Sequence, residues 1–398
     1  MAEPQPSRRA GGRCRRGVWR CAAAALGTVA ALGLLEAVVR LLDIGPDVNP
    51  VFRSSYRLSE NPVLAYEHVP GAIGPNYTIN EDGWRGRRAA VDHSPEVFRI
   101  ACIGDSVMFG YGVGDDETFP VILERLLNEH CAGQDRRFEV LNFGVTGYNA
   151  AQAAETLRTR VLGCRPDVVI YGYCLNDPSE YSYELAGLLR RVTSAEYHYY
   201  QAWTQRGARV LARSRVFLLL RYAWESCGQA GARTALPEAG PRRFEIRRGN
   251  HRDYYRALHE LPEYWSRIPA AMHQIAASTR PGAAPVYVTI YPVLQDLEDY
   301  PLTDAHDRVR RAAEAEGLHV LDLTASLADA ARALAESLAV DRLHPSAPGY
   351  TVAALATMNQ LISDGHVEPS SALEHAAAEV GTEGQIARVI LGTPASTE

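Results

Sequence analysis

The chain has 398 residues, 46% apolar and 22% charged. These values are ordinary for globular proteins and exclude a disordered, collagen-like or multi-pass membrane protein. The net charge of −6 hides an asymmetry: residues 1–20 carry six Arg and one Glu, and the remaining 378 carry 35 Arg against 46 acids. There is no Lys. The body of the chain is acidic, so nucleic acid is not an expected partner.

The Arg-rich start (residues 1–18) leads into an apolar run at 21–35, interrupted by Glu36 and resumed to Leu42. Residues 19–42 as a helix measure about 36 Å, against a bilayer core of about 30 Å. The expectation is an N-terminal transmembrane helix with the Arg cluster in the cytoplasm and the rest of the chain outside. Glu36 and Arg40 are four apart, so they can neutralise each other on one helical face. A signal peptide, cleaved to release a secreted protein, is the competing reading; a twin-arginine export signal is a looser match. Export places five cysteines in an oxidising space. Cys102 and Cys174 lie in apolar strand-like runs and are expected to be buried thiols, whereas Cys131 and Cys164 each follow a predicted helix and are candidates for a bridge.

Residues 43–96 are rich in Pro, Asn and Gly and read as a linker with short strands. From residue 97 strands and helices alternate. Strands are predicted at 98–103, 138–141, 167–173, 286–291 and 319–323. Helices are predicted at 119–129, capped by Thr118 with Pro120 in the first turn; at 149–162, stopped by Arg165-Pro166; at 303–316, ended by Gly317; and at 347–362. Such alternation implies a five-stranded parallel sheet covered on both faces. Residues 178–284 exceed a plain crossover and read as a helical insertion. Its aromatics, among them Tyr254, Tyr255, Tyr264 and Trp265, suit packing between helices or, in a sharper reading, a sugar-stacking surface. Residues 364–398 read as a flexible tail.

Open α/β sheets bind ligands at the carboxyl ends of their strands. Four segments fall there: Gly104-Asp105-Ser106, the Gly144–Gly147 turn, Leu175-Asn176-Asp177, and Asp341-x-x-His344. A hydroxyl, a glycine turn, a carboxamide and a carboxylate–imidazole pair on one edge are the components of acyl transfer. Ser106 needs a base to take its proton. His344 can serve, oriented by Asp341 three residues earlier. The Ser106 N–H, the Gly147 N–H and the Asn176 amide are candidate oxyanion donors. No G-x-S-x-G elbow, P-loop, dinucleotide fingerprint or metal-ligand spacing is present. Neither a cofactor nor a metal is expected.

These four blocks, in this order across residues 97–363, resemble those of the SGNH/GDSL hydrolases. The pre-core stretch Ile79-Asn80-Glu81-Asp82-Gly83-Trp84-Arg85-Gly86 is similar to that of membrane-anchored bacterial members. In one departure, Cys174 stands where the third block usually has Gly. The resemblance implies a flavodoxin-like three-layer sandwich and ester or acyl-transfer activity. The expected function is a serine esterase cleaving an O-acetyl or short-chain ester of a small molecule or glycan outside the cytoplasmic membrane. An O-acyltransferase acting on an envelope glycan and a non-catalytic envelope binding protein are the alternatives; oligomeric state is left open.

Overall fold

A computed structural model describes residues 11–41, 55–74, 76–89, 96–131, 136–179, 216, 251–280, 284–334 and 337–370. The chain divides into two compact units, the first comprising Met1–Val48, Leu188–Ala195 and Gln201–Leu236.

In the first unit, helix α1 covers Gly11–Leu41. Its Leu26, Val29, Leu32, Leu34, Leu35 and Leu41 side chains are exposed. The Glu36 carboxylate accepts from the Val216 N–H at 2.9 Å. The expected helix therefore forms, and among the described residues no helix is long and apolar enough to cross a membrane, so the transmembrane part of the 19–42 reading is not borne out there. Only 15 residues run uninterrupted before Glu36, and much of that run is Ala and Gly, which contribute little apolar surface.

Among its described residues the second unit holds seven strands. β1 (Tyr56–Leu58) and β2 (Tyr66–His68) form an antiparallel hairpin. β3 (Val97–Gly104), β4 (Arg137–Asn142), β5 (Val168–Cys174), β6 (Val286–Tyr291) and β7 (His319–Asp322) form one sheet in the order β4-β3-β5-β6-β7. Every pairing in it is parallel, with Phe98 opposite Phe138, Ile100 opposite Val168 and Val169 opposite Val286. This is the flavodoxin-like order, and its direction reverses between β3 and β5.

Successive strand residues serve opposite faces. Ala101, Ile103, Val169 and Tyr171 pack on one side with helices α4 (Ala150–Thr156), α7 (Arg267–Thr279) and α8 (Thr303–Ala315). Ile100, Cys102, Val168 and Ile170 pack on the other with α3 (Phe119–His130), α9 (Thr324–Ala333) and α10 (Ala347–Ser363). The predicted strands and core helices all form, and α9 joins them. In α3, Phe119, Ile122, Leu123, Leu126 and Leu127 bury one helical stripe. Asn149 and Gln152 make a reciprocal capping box on α4, at 3.1 and 3.0 Å. Thr118 stands at the N-cap of α3 but its hydroxyl does not cap. Its methyl instead fills the space where Gly110 lacks a Cβ.

Three expectations change. The stretch 178–284 is not wholly an insertion. Its end forms α5 (His251–Glu260), the single turn α6 (Pro262–Trp265) and α7, and α7 is the crossover helix from β5 to β6. Tyr255 and Tyr264 are buried in the core there, with Tyr254 and Trp265 packed against it, so these four serve packing; Tyr181, Tyr183, Tyr197, Tyr199, Tyr200 and Trp203 lie outside the described residues. The segment 55–89 is more than a linker, since it buries Leu64, Tyr66, Ile79 and Arg85. Cys131 and Cys164 are free thiols, as are buried Cys102 and Cys174.

Candidate active site

Gly104 closes β3 at φ +152°, and a Cβ there would lie 2.7 Å from the Gly172 carbonyl oxygen of β5. Only glycine allows that approach. The chain then turns into α2 (Ser106–Phe109), with the Asp105 carboxylate accepting from Val107 N–H at 2.9 Å. Gly110 ends the turn in the left-handed region, and the Gly110 and Tyr111 N–H groups both donate to the Ser106 carbonyl. Ser106 thus stands at the C-terminal edge of the sheet beside its switch point.

A guanidinium from the segment before the sheet holds this turn. Arg85 is buried, and its Nη1 donates to the carbonyls of Phe109 (3.1 Å) and Gly110 (2.6 Å). Nη2 donates to Asn76 and Val113, and Nε to Asp115 Oδ1. The guanidinium also packs over the Phe109 ring at 4.9 Å. Burial lowers the Arg85 pKa, against the pull of Asp115.

The partner imidazole comes from the loop between α9 and α10. Val340 N–H donates to the His344 carbonyl, and Ser346 N–H to that of Leu338. Asp341 Oδ1 accepts from the Leu343 and His344 N–H groups at 2.9 Å each, which folds Asp341 back toward the His344 ring. His344 Nδ1 lies 2.8 Å from Asp341 Oδ2, and Nε2 lies 2.8 Å from Ser106 Oγ. Partial burial works against the Asp341 carboxylate, but these N–H groups and the imidazole outweigh it and hold its pKa below the usual range.

Asn176 follows β5. Its Nδ2 donates to Asp105 Oδ2 at 3.1 Å, so the amide is tied to the residue preceding Ser106. A carboxamide nitrogen has two protons, and one remains for another acceptor. Cys174 lies within β5 opposite Tyr291, outside the positive-φ residues, so no glycine is needed there. Behind it, buried Asp177 accepts from Tyr171 Oη. Burial pushes the carboxyls of Asp105 and Asp177 up, Asp177 strongly, with the nearby Asp105 adding to the rise at Asp177.

Gly147 occupies a turn closed by Tyr148 N–H donating to the Val145 carbonyl, at φ +78°. This is the position in a type II turn that favours glycine. Val145 N–H donates to Gly104 O, tying the turn to the strand end that carries Ser106, and Tyr66 Oη donates to Thr146 O.

Hydrogen bonds thus bring together Ser106, His344, Asp341 and, through Asp105, Asn176, while Gly147 joins through backbone. Sequence reasoning missed the support that Arg85 gives the turn, and the nearness of the Tyr111 ring, which lies 4.6 Å from the His344 ring. Asp105 carried a legible signal, an acidic N-cap. Among the described residues no group of three or more His, Cys, Asp and Glu suits a metal ion.

The GDSL-like lipase/acylhydrolase family matches residues 102–352. No curated protein matches the chain. Among solved structures it is similar to LAE5, an alpha/beta hydrolase enzyme from the metagenome of Lake Arreo, Spain (18% identity, 66% of this chain and 93% of that one, TM-score 0.40). It is also similar to a variant of Axe2, an acetyl-xylooligosaccharide esterase from Geobacillus stearothermophilus (16%, 68% and 96%, TM-score 0.40). A third is TesA (12%, 66% and 97%, TM-score 0.37). The family match spans well over half of the sequence: the chain belongs to the GDSL-like lipase/acylhydrolases and is a serine esterase.

Proposed function

We propose that Ser106 is the nucleophile, His344 the general base and Asp341 the residue that orients it, in hydrolysis of an O-acetyl or short-chain acyl ester. The observation that carries this reading is the unbroken chain Asp341 Oδ2, His344 Nδ1, His344 Nε2, Ser106 Oγ, with 2.8 Å at each contact. Ser106 Oγ attacks the ester carbon as its proton passes to Nε2. The ionised Asp341 stabilises the imidazolium. The oxyanion takes hydrogen bonds from the Ser106 N–H, the Gly147 N–H and the second proton of Asn176 Nδ2. Nε2 then protonates the departing alcohol, and water, activated by the same base, releases the acid.

Ser106→Ala abolishes ester hydrolysis and labelling by a fluorophosphonate probe. Turnover of p-nitrophenyl acetate by that variant at the wild-type rate overturns the assignment. An O-acyltransferase would use the same residues with a saccharide hydroxyl in place of water, and product partition with added saccharide separates the two. Probe labelling separates both from a non-catalytic binding protein.

Our reading of location is the cytoplasmic membrane, crossed once by the N-terminal stretch, with the catalytic unit on its outer side. It is supported by the Arg-rich start, which the positive-inside bias keeps on the cytoplasmic side, and by the exposed leucines of α1. Fractionation with intact-mass analysis is the check. A soluble product whose N-terminus begins past α1 identifies a secreted esterase instead.

A further inference from the structure

Among the described residues of the second unit, the exposed large apolar side chains are Ile73, Tyr111 and Val340. Two of the three flank the Ser106–His344 pair. Tyr111 is held by its N–H donating to the Ser106 carbonyl at 2.9 Å, and Val340 by its N–H donating to the His344 carbonyl at 2.8 Å. Between them is Gly112, left-handed at φ +89°, where a Cβ would lie 2.8 Å from Val340 Cγ1. The glycine lets the Tyr111 loop close onto Val340. One exposed apolar group is thus fixed to the residue bearing the hydroxyl and the other to the residue bearing the base. The Tyr111 ring lies 4.6 Å from the imidazole, tilted by 43°.

We infer that Tyr111 and Val340 form the platform for the alcohol part of the ester, and that this part is a sugar ring. The inference rests on the assignment of Ser106 and His344 above. During acylation Nε2 hands its proton to the leaving alcohol oxygen, so the alcohol part sits over His344, where Tyr111 and Val340 are. The acyl oxygen points instead toward Asn176 and Gly147. The chemistry of the platform fits a pyranose. A tyrosine has an apolar face and a polar tip, and a pyranose has faces of C–H groups with hydroxyls around its rim. Tyr111 and Val340 are each about half exposed, 48% and 47%. Such a surface covers one face of a ring and leaves its hydroxyls in water, whereas a long alkyl chain gains most from an enclosed apolar site.

The test compares an O-acetylated methyl pyranoside with ethyl acetate, which share the acyl group and differ in the alcohol. Tyr111→Ala lowers the ratio of kcat/KM for the pyranoside over ethyl acetate by about tenfold, chiefly through KM, as loss of one aromatic contact does. Tyr111→Phe, which keeps the ring face, retains most of that ratio. An equal loss on both substrates makes Tyr111 a support for His344 and overturns the platform. A ratio within about twofold of wild type overturns it as well. A larger loss on octyl acetate than on the pyranoside overturns the sugar assignment. Retention of the Ser106 fluorophosphonate adduct in Tyr111→Ala shows a folded, reactive site, so failure of the platform is distinct from failure of the catalytic reading.

Discussion

The two halves of the Ser106–His344 pair are built differently. The serine half is buried and clamped from several sides: Arg85 uses its guanidinium donors around the α2 turn, Asp105 caps it, and Tyr350 Oη donates to the Val107 carbonyl at 2.7 Å. The Phe109 ring is stacked on His68 at 5.0 Å. The histidine half is a surface loop. The Asp341 side chain is 48% exposed, and the loop is held by backbone hydrogen bonds and by the fold-back of Asp341 itself. The difference separates stability from activity. A change in the clamp is felt by the fold, and a change in the loop by the chemistry.

Asp341→Ala sharpens this contrast most. It removes the group that orients His344, and turnover falls by on the order of 10³–10⁴, while unfolding free energy falls by only about 1 kcal/mol, as for loss of one half-exposed cap. Steady-state kinetics beside a urea titration read both; a large stability loss breaks the comparison. Arg85→Ala gives the opposite signature. It takes donors from the buried carbonyls of the α2 turn, at a cost of about 1–3 kcal/mol for each one left without a partner, measured by the same titration. Asn176→Ala, which removes one proposed oxyanion donor, lowers kcat about 10²-fold with little change in KM. A loss below about threefold takes Asn176 out of the oxyanion site.

Acid probes the clamp more gently. Burial lowers the His68 pKa to about 3, opposed by its contact with the Ser55 carbonyl. The unfolded chain binds a proton at about pH 6.5 that the folded chain refuses. Stability from this group is complete above that pH and falls as pH drops toward 3, by roughly 2 kcal/mol at about pH 5. His259, lowered to about 4 by burial, acts in the same direction. Asp322 is held at about 2, as its bonds with His306 and Thr324 outweigh its burial, and adds a further loss below the ordinary carboxylate range. Denaturant titrations from neutral to acid pH check this, and His68→Gln flattens the curve.

Much of this was legible in the sequence, for reasons particular to each element. β5 reads as a strand because Val168, Val169, Ile170, Tyr171 and Tyr173 form an apolar run buried on both faces. Asn149 and Gln152 spell out the start of α4. The Asp341-x-x-His344 spacing suits a short fold-back and produces one. What escaped was non-local. α9 buries Leu327, Ala328 and Ala330, a small-residue stripe with a weak apolar period. α7 was absorbed into a longer stretch because nothing in its own residues marks it as the crossover. Arg85 sits in the Ile79–Gly86 stretch, but its burial depends on five acceptors spread from Asn76 to Asp115. Thr118 failed as a cap because its methyl was needed against Gly110.

The Arg85 clamp also bears on where the catalytic unit begins. The family match starts at residue 102, and the sheet itself at Val97. A fragment cut there keeps every proposed catalytic residue. It loses the guanidinium donors to the Phe109 and Gly110 carbonyls, the Arg85–Asn142 bridge at the outer edge of β4, and the Tyr66 hydroxyl bonded to Thr146 beside Gly147. The smallest independently folding esterase therefore starts no later than β1, some forty residues upstream of its first sheet strand.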